Sequence, residues 1–259
     1  MAFSSARTGV WYRHIAHLFR APWGYKRQGV DVASASCASL PRYRLGVSRS
    51  MRTAIVLAAP QQAFHMQQVP LEHALSRSQV LAVLHSRGML MDEMVMDVMM
   101  EPRERTSVAV FSLNRSQCHA WQQQYTFTHQ RVVAIEPAGH ALWRYAQQQH
   151  ATHQAWLIAT ARSATLYWPA EWPWGYHTEP LPLEAAGHVP TEEMWQATVR
   201  RAALMTGNNA PVQQPICVVG TRACRECWQS CTHSVVWQPV PGVHPVAAGA
   251  ALKSARRWV

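Results

Sequence analysis

The feature that most constrains this chain is a recurring pair of patterns. A short apolar run is stopped by proline, glycine or a polar turn, and helical periodicity soon follows. The runs TAIVLAAP (53–60), SVAVFSLN (107–114), RVVAIEP (131–137) and PICVVGTR (215–222) each have strand length. Runs of that length bounded by breakers suit buried strands. Between them, SRSQVLAVLHSRG (76–88) predicts a helix that Ser76 caps and Gly88 closes. SQCHAWQQQYTF (116–127), AGHALWRYAQQQ (138–149), TEEMWQATVRRAALMTG (191–207) and HPVAAGAALKSARRW (244–258) also read as helices. FHMQQVP predicts another short strand, and HQAWLIATARSATLYWP (153–169) two hairpinned strands. Residues 21–52, with Pro22, Gly24, Gly29, Pro41 and Gly46, predict short strands and turns. Alternating strands and helices over 259 residues argue an α/β fold with mixed sheets.

Charge is unevenly placed. The chain carries 24 Lys and Arg against 14 Asp and Glu. Residues 1–52 hold nine of the basic residues and a single acid, Asp31. Such a segment could approach an anionic membrane face or nucleic acid, or simply be a solvated edge. No stacking or groove-reading motif accompanies it, so direct DNA binding is the weaker reading. No run of about 18 apolar residues predicts a transmembrane helix. The first twenty residues, with Arg7, Arg13 and Arg20, lack the apolar stretch of a signal peptide. These features predict a cytoplasmic protein with reduced cysteines.

Three clusters invite chemistry. CRECWQSC puts Cys224, Cys227 and Cys231 together, with Cys217 upstream and His233 downstream. A zinc site is one reading, but the spacing i, i+3, i+7 is also the apolar stripe of one helix, which is favoured. Methionines 89, 91, 94, 96, 99 and 100 lack interleaved His or Cys and read as adaptable packing rather than soft-metal ligands. YWPAEWPWGYH (167–177) sets Trp168, Trp172 and Trp174 beside two prolines, either as an interface anchor or as a loop over its own core. The core reading is favoured. HExxH, GxSxG, GxxxxGK[ST] and GxGxxG are all missing from the sequence. No catalytic, cofactor or metal residue is therefore assigned.

An ordered set of motifs does resemble a family. TAIVLAAP, VVAIEPAGHALWRY (132–145), ICVVGTRA (216–223) and VHPVAAGAALKSA (243–255) are similar, in that order, to segments of the PilM-like type IV pilus assembly proteins. The length and the MAF start are more like the shorter HofM DNA-utilisation members of that group. The resemblance implies an actin-like, ribonuclease-H-like fold of two α/β lobes. It places the first lobe at 1–52 and 131–150, with helix 244–258 returning to it. It places an inserted subdomain at 53–130 and a reduced second lobe at 151–243. The family's first phosphate-loop pattern, G-[IV]-D-[IV]-G, is set on Gly9-Val10-Trp11-Tyr12-Arg13, where the acid is lost. In the second loop no Asp, Glu or Gly occurs from Gln154 to Trp168, and Gly220-Thr221 stands where the adenosine loop is expected to have a Gly pair. The expectation is a pseudo-ATPase without cofactor. It would serve as a scaffold at the inner membrane of a pilus, competence or DNA-uptake machine. Its partner would be the cytoplasmic N-terminal tail of a PilN-like bitopic protein.

Overall fold

The computed structural model describes residues 25–33, 36–39, 52–71, 75–88, 93–100, 107–126, 130–159, 163–180, 191–206, 216–219, 237–239 and 244–253. The chain order begins β1 (Tyr25–Asp31), β2 (Ser36–Ser39), β3 (Arg52–Ala59) and β4 (His65–Pro70). It continues with α1 (Arg77–Ser86), β5 (Met94–Met100), β6 (Ser107–Asn114), α2 (Arg115–Tyr125), β7 (Gln130–Pro137) and α3 (Ala138–Gln148). The remainder is β8 (Ala155–Ala159), β9 (Ser163–Tyr167), β10 (Tyr176–Pro180), α4 (Thr191–Thr206), β11 (Ile216–Val219), β12 (Trp237–Pro239) and α5 (Pro245–Ala251).

Three sheets result. The first has the order β2-β1-β3-β7, with β1 antiparallel to β2 and β1, β3 and β7 mutually parallel. The second has the order β10-β9-β8-β11-β12, with β9 antiparallel to both neighbours and β8, β11 and β12 parallel. Numbered within its own half, the second sheet reads 3-2-1-4-5. Numbered the same way with the inserted sheet left out, the described strands of the first read 2-1-3-4. Each half thus sets an antiparallel neighbour on one side of its first strand and two parallel strands on the other, as in a two-lobed actin-like, ribonuclease-H-like α/β fold. The antiparallel sheet β4-β6-β5 is inserted between the last two strands of the first half.

The alternating register explains how the layers assemble. Ala54, Val56, Ala58 and Val133 face one way from the first sheet, and Trp156, Ile158, Cys217 and Val219 face it from the second. Between them lie Ala138, Ala141 and Leu142 of α3 and Val246 and Ala250 of α5. The outer face of the first sheet, with Val30, Ile55, Leu57 and Val132, is covered by Trp121 and Tyr125 of α2. The outer face of the second, with Leu157, Leu166, Ile216 and Val218, is covered by Met194 and Trp195 of α4. Full burial of a leucine such as Leu57, Leu142, Leu157 or Leu166 stabilises by roughly 1.5–3 kcal/mol.

Two local predictions are seen directly. Ser76 caps α1 in a reciprocal box: its backbone N–H donates to Gln79 Oε1 at 2.8 Å, and Gln79 N–H donates back to its hydroxyl at 3.4 Å. Gly88 follows with φ of 68°, the left-handed conformation glycine adopts without strain. The run 53–60, expected inside the inserted subdomain, instead forms β3 at the centre of the first sheet, pairing on both sides. Its residues 54–59 are buried on both faces, which is why the run has no polar alternation.

Candidate functional site at the ends of the parallel strands

The three parallel strands of the first sheet end along one edge, and two carboxylates stand there. Asp31 closes β1 and Glu136 comes one residue before the end of β7. Each is only 1% exposed. A buried carboxylate stays charged only when cations or N–H donors surround it.

Glu136 is held by the Arg144 guanidinium, two turns along α3, and by Lys253 Nζ at 3.1 Å, just past α5. Burial alone would raise its pKa; the two cations outweigh burial and hold it down at about 2. Arg144 Nε also donates to the Gly249 carbonyl at 3.1 Å, so one guanidinium ties β7 to α5. His140, one turn into α3, is pushed down to about 3 by burial and then by the charge of Arg144. It is neutral at physiological pH.

Asp31 sits at the other end of α5. Its Oδ1 accepts the Ala33 N–H at 3.3 Å, and His244 Nε2, from the residue that caps α5, lies 3.5 Å from Oδ2. Burial lowers the His244 pKa, and the Asp31 charge opposes that shift. The short helix α5 therefore runs from one buried acid to the other.

Glycines set how closely the helices approach. A Cβ on Gly249 would lie 2.5 Å from the Ala141 carbonyl carbon, and one on Gly29 2.9 Å from Ala250 Cβ. Thus α5 packs against the backbones of α3 and β1 with no side chain between. Pro137 precedes α3 as Pro245 opens α5, and counting from these prolines makes Ala141 and Gly249 equivalent positions. The closest contact of the helix pair therefore falls where each half offers the matching residue.

A second match to the first phosphate-loop pattern stands among the described residues. Gly9–Arg13 lies outside the described residues. The strand that occupies the first position of the lobe is β1, and its end reads Gly29-Val30-Asp31-Val32-Ala33. There the acid is kept, and the second glycine of the pattern is Ala33. The matching end in the second half, β8, carries Ala159 and no carboxylate. The Gly220-Thr221 pair lies outside the described residues.

Other sequence candidates separate cleanly. Cys224, Cys227, Cys231 and His233 lie outside the described residues. Cys217 faces the core with Sγ 3.0 Å from Gln154 Oε1, and burial raises its thiol pKa to about 11. Among the described residues no group of three or more His, Cys, Asp or Glu could hold a metal ion. No helix among them is long and apolar enough to cross a membrane. Trp168, Trp172 and Trp174 are all buried. Trp172 stacks on Phe111 of the inserted sheet at 6.0 Å and fills the space a Cβ on Gly139 would need, so the loop packs on its own core. Met96 packs against the α1 face of the inserted sheet, as core methionine does.

The residues that reading by motif missed are His244, Lys253 and Asp31. GVDVA at 29–33 was the available signal for Asp31, hidden by registering the pattern on the first glycine of the chain. Nothing in the sequence pairs Lys253 with Glu136, 117 positions apart.

The fold and its edge therefore define a protein of actin-like fold with two strand-end acids, Asp31 and Glu136, both buried. No protein-family model and no curated protein matches the chain. Among solved structures it is similar to the cytoplasmic domain of EpsL, an inner-membrane component of the type II secretion system of Vibrio cholerae. That match has TM-score 0.48 and 10% identity and covers 88% of this chain and 94% of that one. It is similar to a PilM–PilN type IV pilus biogenesis complex, with TM-score 0.48, 12% identity and coverage of 89% and 98%. It is also similar to a Bacteroides thetaiotaomicron protein of actin-like ATPase fold, with TM-score 0.42, 11% identity and coverage of 88% and 94%. The fold assignment rests on the strand order described above.

Proposed function

We propose that the chain is a non-catalytic scaffold of a type IV pilus-like or type II secretion-like assembly. In this reading it sits on the cytoplasmic side of the inner membrane and holds the N-terminal tail of a PilN-like bitopic protein. The DNA-utilisation branch, with its HofM members, is the finer placement within this proposal. The observation that carries the non-catalytic part is the state of the strand ends. Phosphoryl transfer in such a fold needs carboxylates that reach a hydrated Mg²⁺ from both halves. Here Asp31 is sealed under His244, and Ala159 offers no oxygen ligand. With hydrolysis set aside, recognition remains, and an unstructured tail that orders on docking suits a scaffold.

The test is a pull-down of synthetic N-terminal tails of bitopic membrane proteins encoded beside this one. The PilM–PilN complex gives the partner class to try first. Saturable capture of one tail, competed by the same peptide free in solution, supports the reading. Recovery of no tail at micromolar concentrations would sink it.

A further inference from the structure

The helix α5 is short, and six of its seven residues are buried. It comes from the end of the second half, yet it packs on β1 and β3 of the first and crosses α3 at Gly249. Both of its ends meet buried acids of the first sheet: His244 at Asp31 and Lys253 at Glu136. Between the pins the helix offers only Pro245, Val246, alanines and Gly249, which allow close approach but make no long side-chain interdigitation. Buried ion pairs contribute little net stability against apolar replacements, yet breaking one partner leaves an uncompensated charge and costs several kcal/mol. The Lys253–Glu136 pair therefore acts as a fastener. At the other end His244, its pKa lowered by burial, meets Asp31 as a polar contact at 3.5 Å, while the alanine contacts alone could slide.

We propose that α5 is a bolt, pinned at Asp31 and Glu136, that joins the two halves into one rigid unit and prevents them from hinging. Relative movement of the halves then requires complete release of α5. The proposal concerns how the halves are coupled and holds whether or not the chain docks a membrane-protein tail. Arg144 reinforces the same pin by reaching Glu136 and the Gly249 carbonyl together, so loss of the Glu136 charge would leave three cationic or neutral groups facing one another: Arg144, Lys253 and His140.

Amide hydrogen exchange read by mass spectrometry on the full chain tests this. In the wild type, peptides covering α5, α3 and β1 should exchange no faster than those covering β3 and β8. Lys253→Met should speed exchange in α5 and β1 by about tenfold, less than a fully broken buried pair because Arg144 still faces Glu136, and leave β8, β9 and β11 unchanged. Lys253→Arg, which keeps the cation, should retain the wild-type pattern. Wild-type α5 exchanging ahead of both sheets would overturn the bolt, and that measurement stands even if Lys253→Met does not fold. Unchanged exchange in Lys253→Met, or an equal rise throughout the chain, would overturn it too.

Discussion

Replacing Gly249 by alanine places a methyl group where α3 already is. The new Cβ would sit 2.5 Å from the Ala141 carbonyl carbon and closer still to its oxygen, against ordinary contact distances of about 3.5–4.0 Å. Neither atom is the free end of a side chain, so the helices must part by about 1 Å. Parting them also draws α5 off Gly29, where Ala250 Cβ has equally little room. Overpacking in a core costs typically 1–3 kcal/mol and sometimes more, and a clash of backbone with backbone belongs at the upper end. Alanine recovers about 1 kcal/mol of helix propensity over glycine. The net expectation is a loss of about 2 kcal/mol, or a melting point lower by about 5 °C in a chain of this size. Urea unfolding followed by tryptophan fluorescence, with calorimetry alongside, measures both. A Gly249→Ala protein as stable as the wild type, or more stable, would refute the backbone contact at the helix crossing. Helix propensity alone predicts that opposite sign.

Acid should weaken the fold in two stages. His140 is depressed to about 3 in the folded chain against an ordinary 6.5, so the unfolded chain binds its proton first as pH falls below 6.5. Glu136 is depressed to about 2 against 4.5, so its contribution is present above 4.5 and fades as pH falls toward 2. Stability should therefore decline by up to about 1.4 kcal/mol per pH unit below 6.5, and faster below 4.5. Urea midpoints from pH 7.5 to 4 would show this, and a rise in stability on going from pH 6.5 to 5 would contradict it. Cys118 and Cys217, both pushed up to about 11 by burial, should resist alkylation at pH 7.5 in the native protein and react fully in urea. Peptide mapping reads the labelling, and fast native labelling of either thiol would contradict its placement. Titration calorimetry with Mg-ATP should give no binding heat, and a stoichiometric isotherm would undo the non-catalytic proposal.

Most of the local structure was legible because it is written in neighbouring residues. Ser76, Gln79 and Gly88 mark one helix by their spacing, and the unbroken apolar run of β3 marks a strand covered on both faces. TEEMWQATVRRAALMTG predicts a helix over 191–207, and α4 spans Thr191–Thr206. The strand β10 was not legible, because YHTEP has no apolar alternation and, among the described residues, pairs only along β9. The three residues of β12 are too few to carry a period.

The sequence by itself determined the elements, their α/β alternation and the family resemblance, since periodicity, caps and breakers act within a few residues. Only the tertiary structure decided the strand order, which set Gly29–Ala33 at the end of an interior strand of the first sheet. It also decided what became of the acid there. Asp31 meets His244 and Glu136 meets Lys253 across more than a hundred residues. The charge of a buried carboxylate depends on which distant cations are folded against it, and no local pattern encodes that.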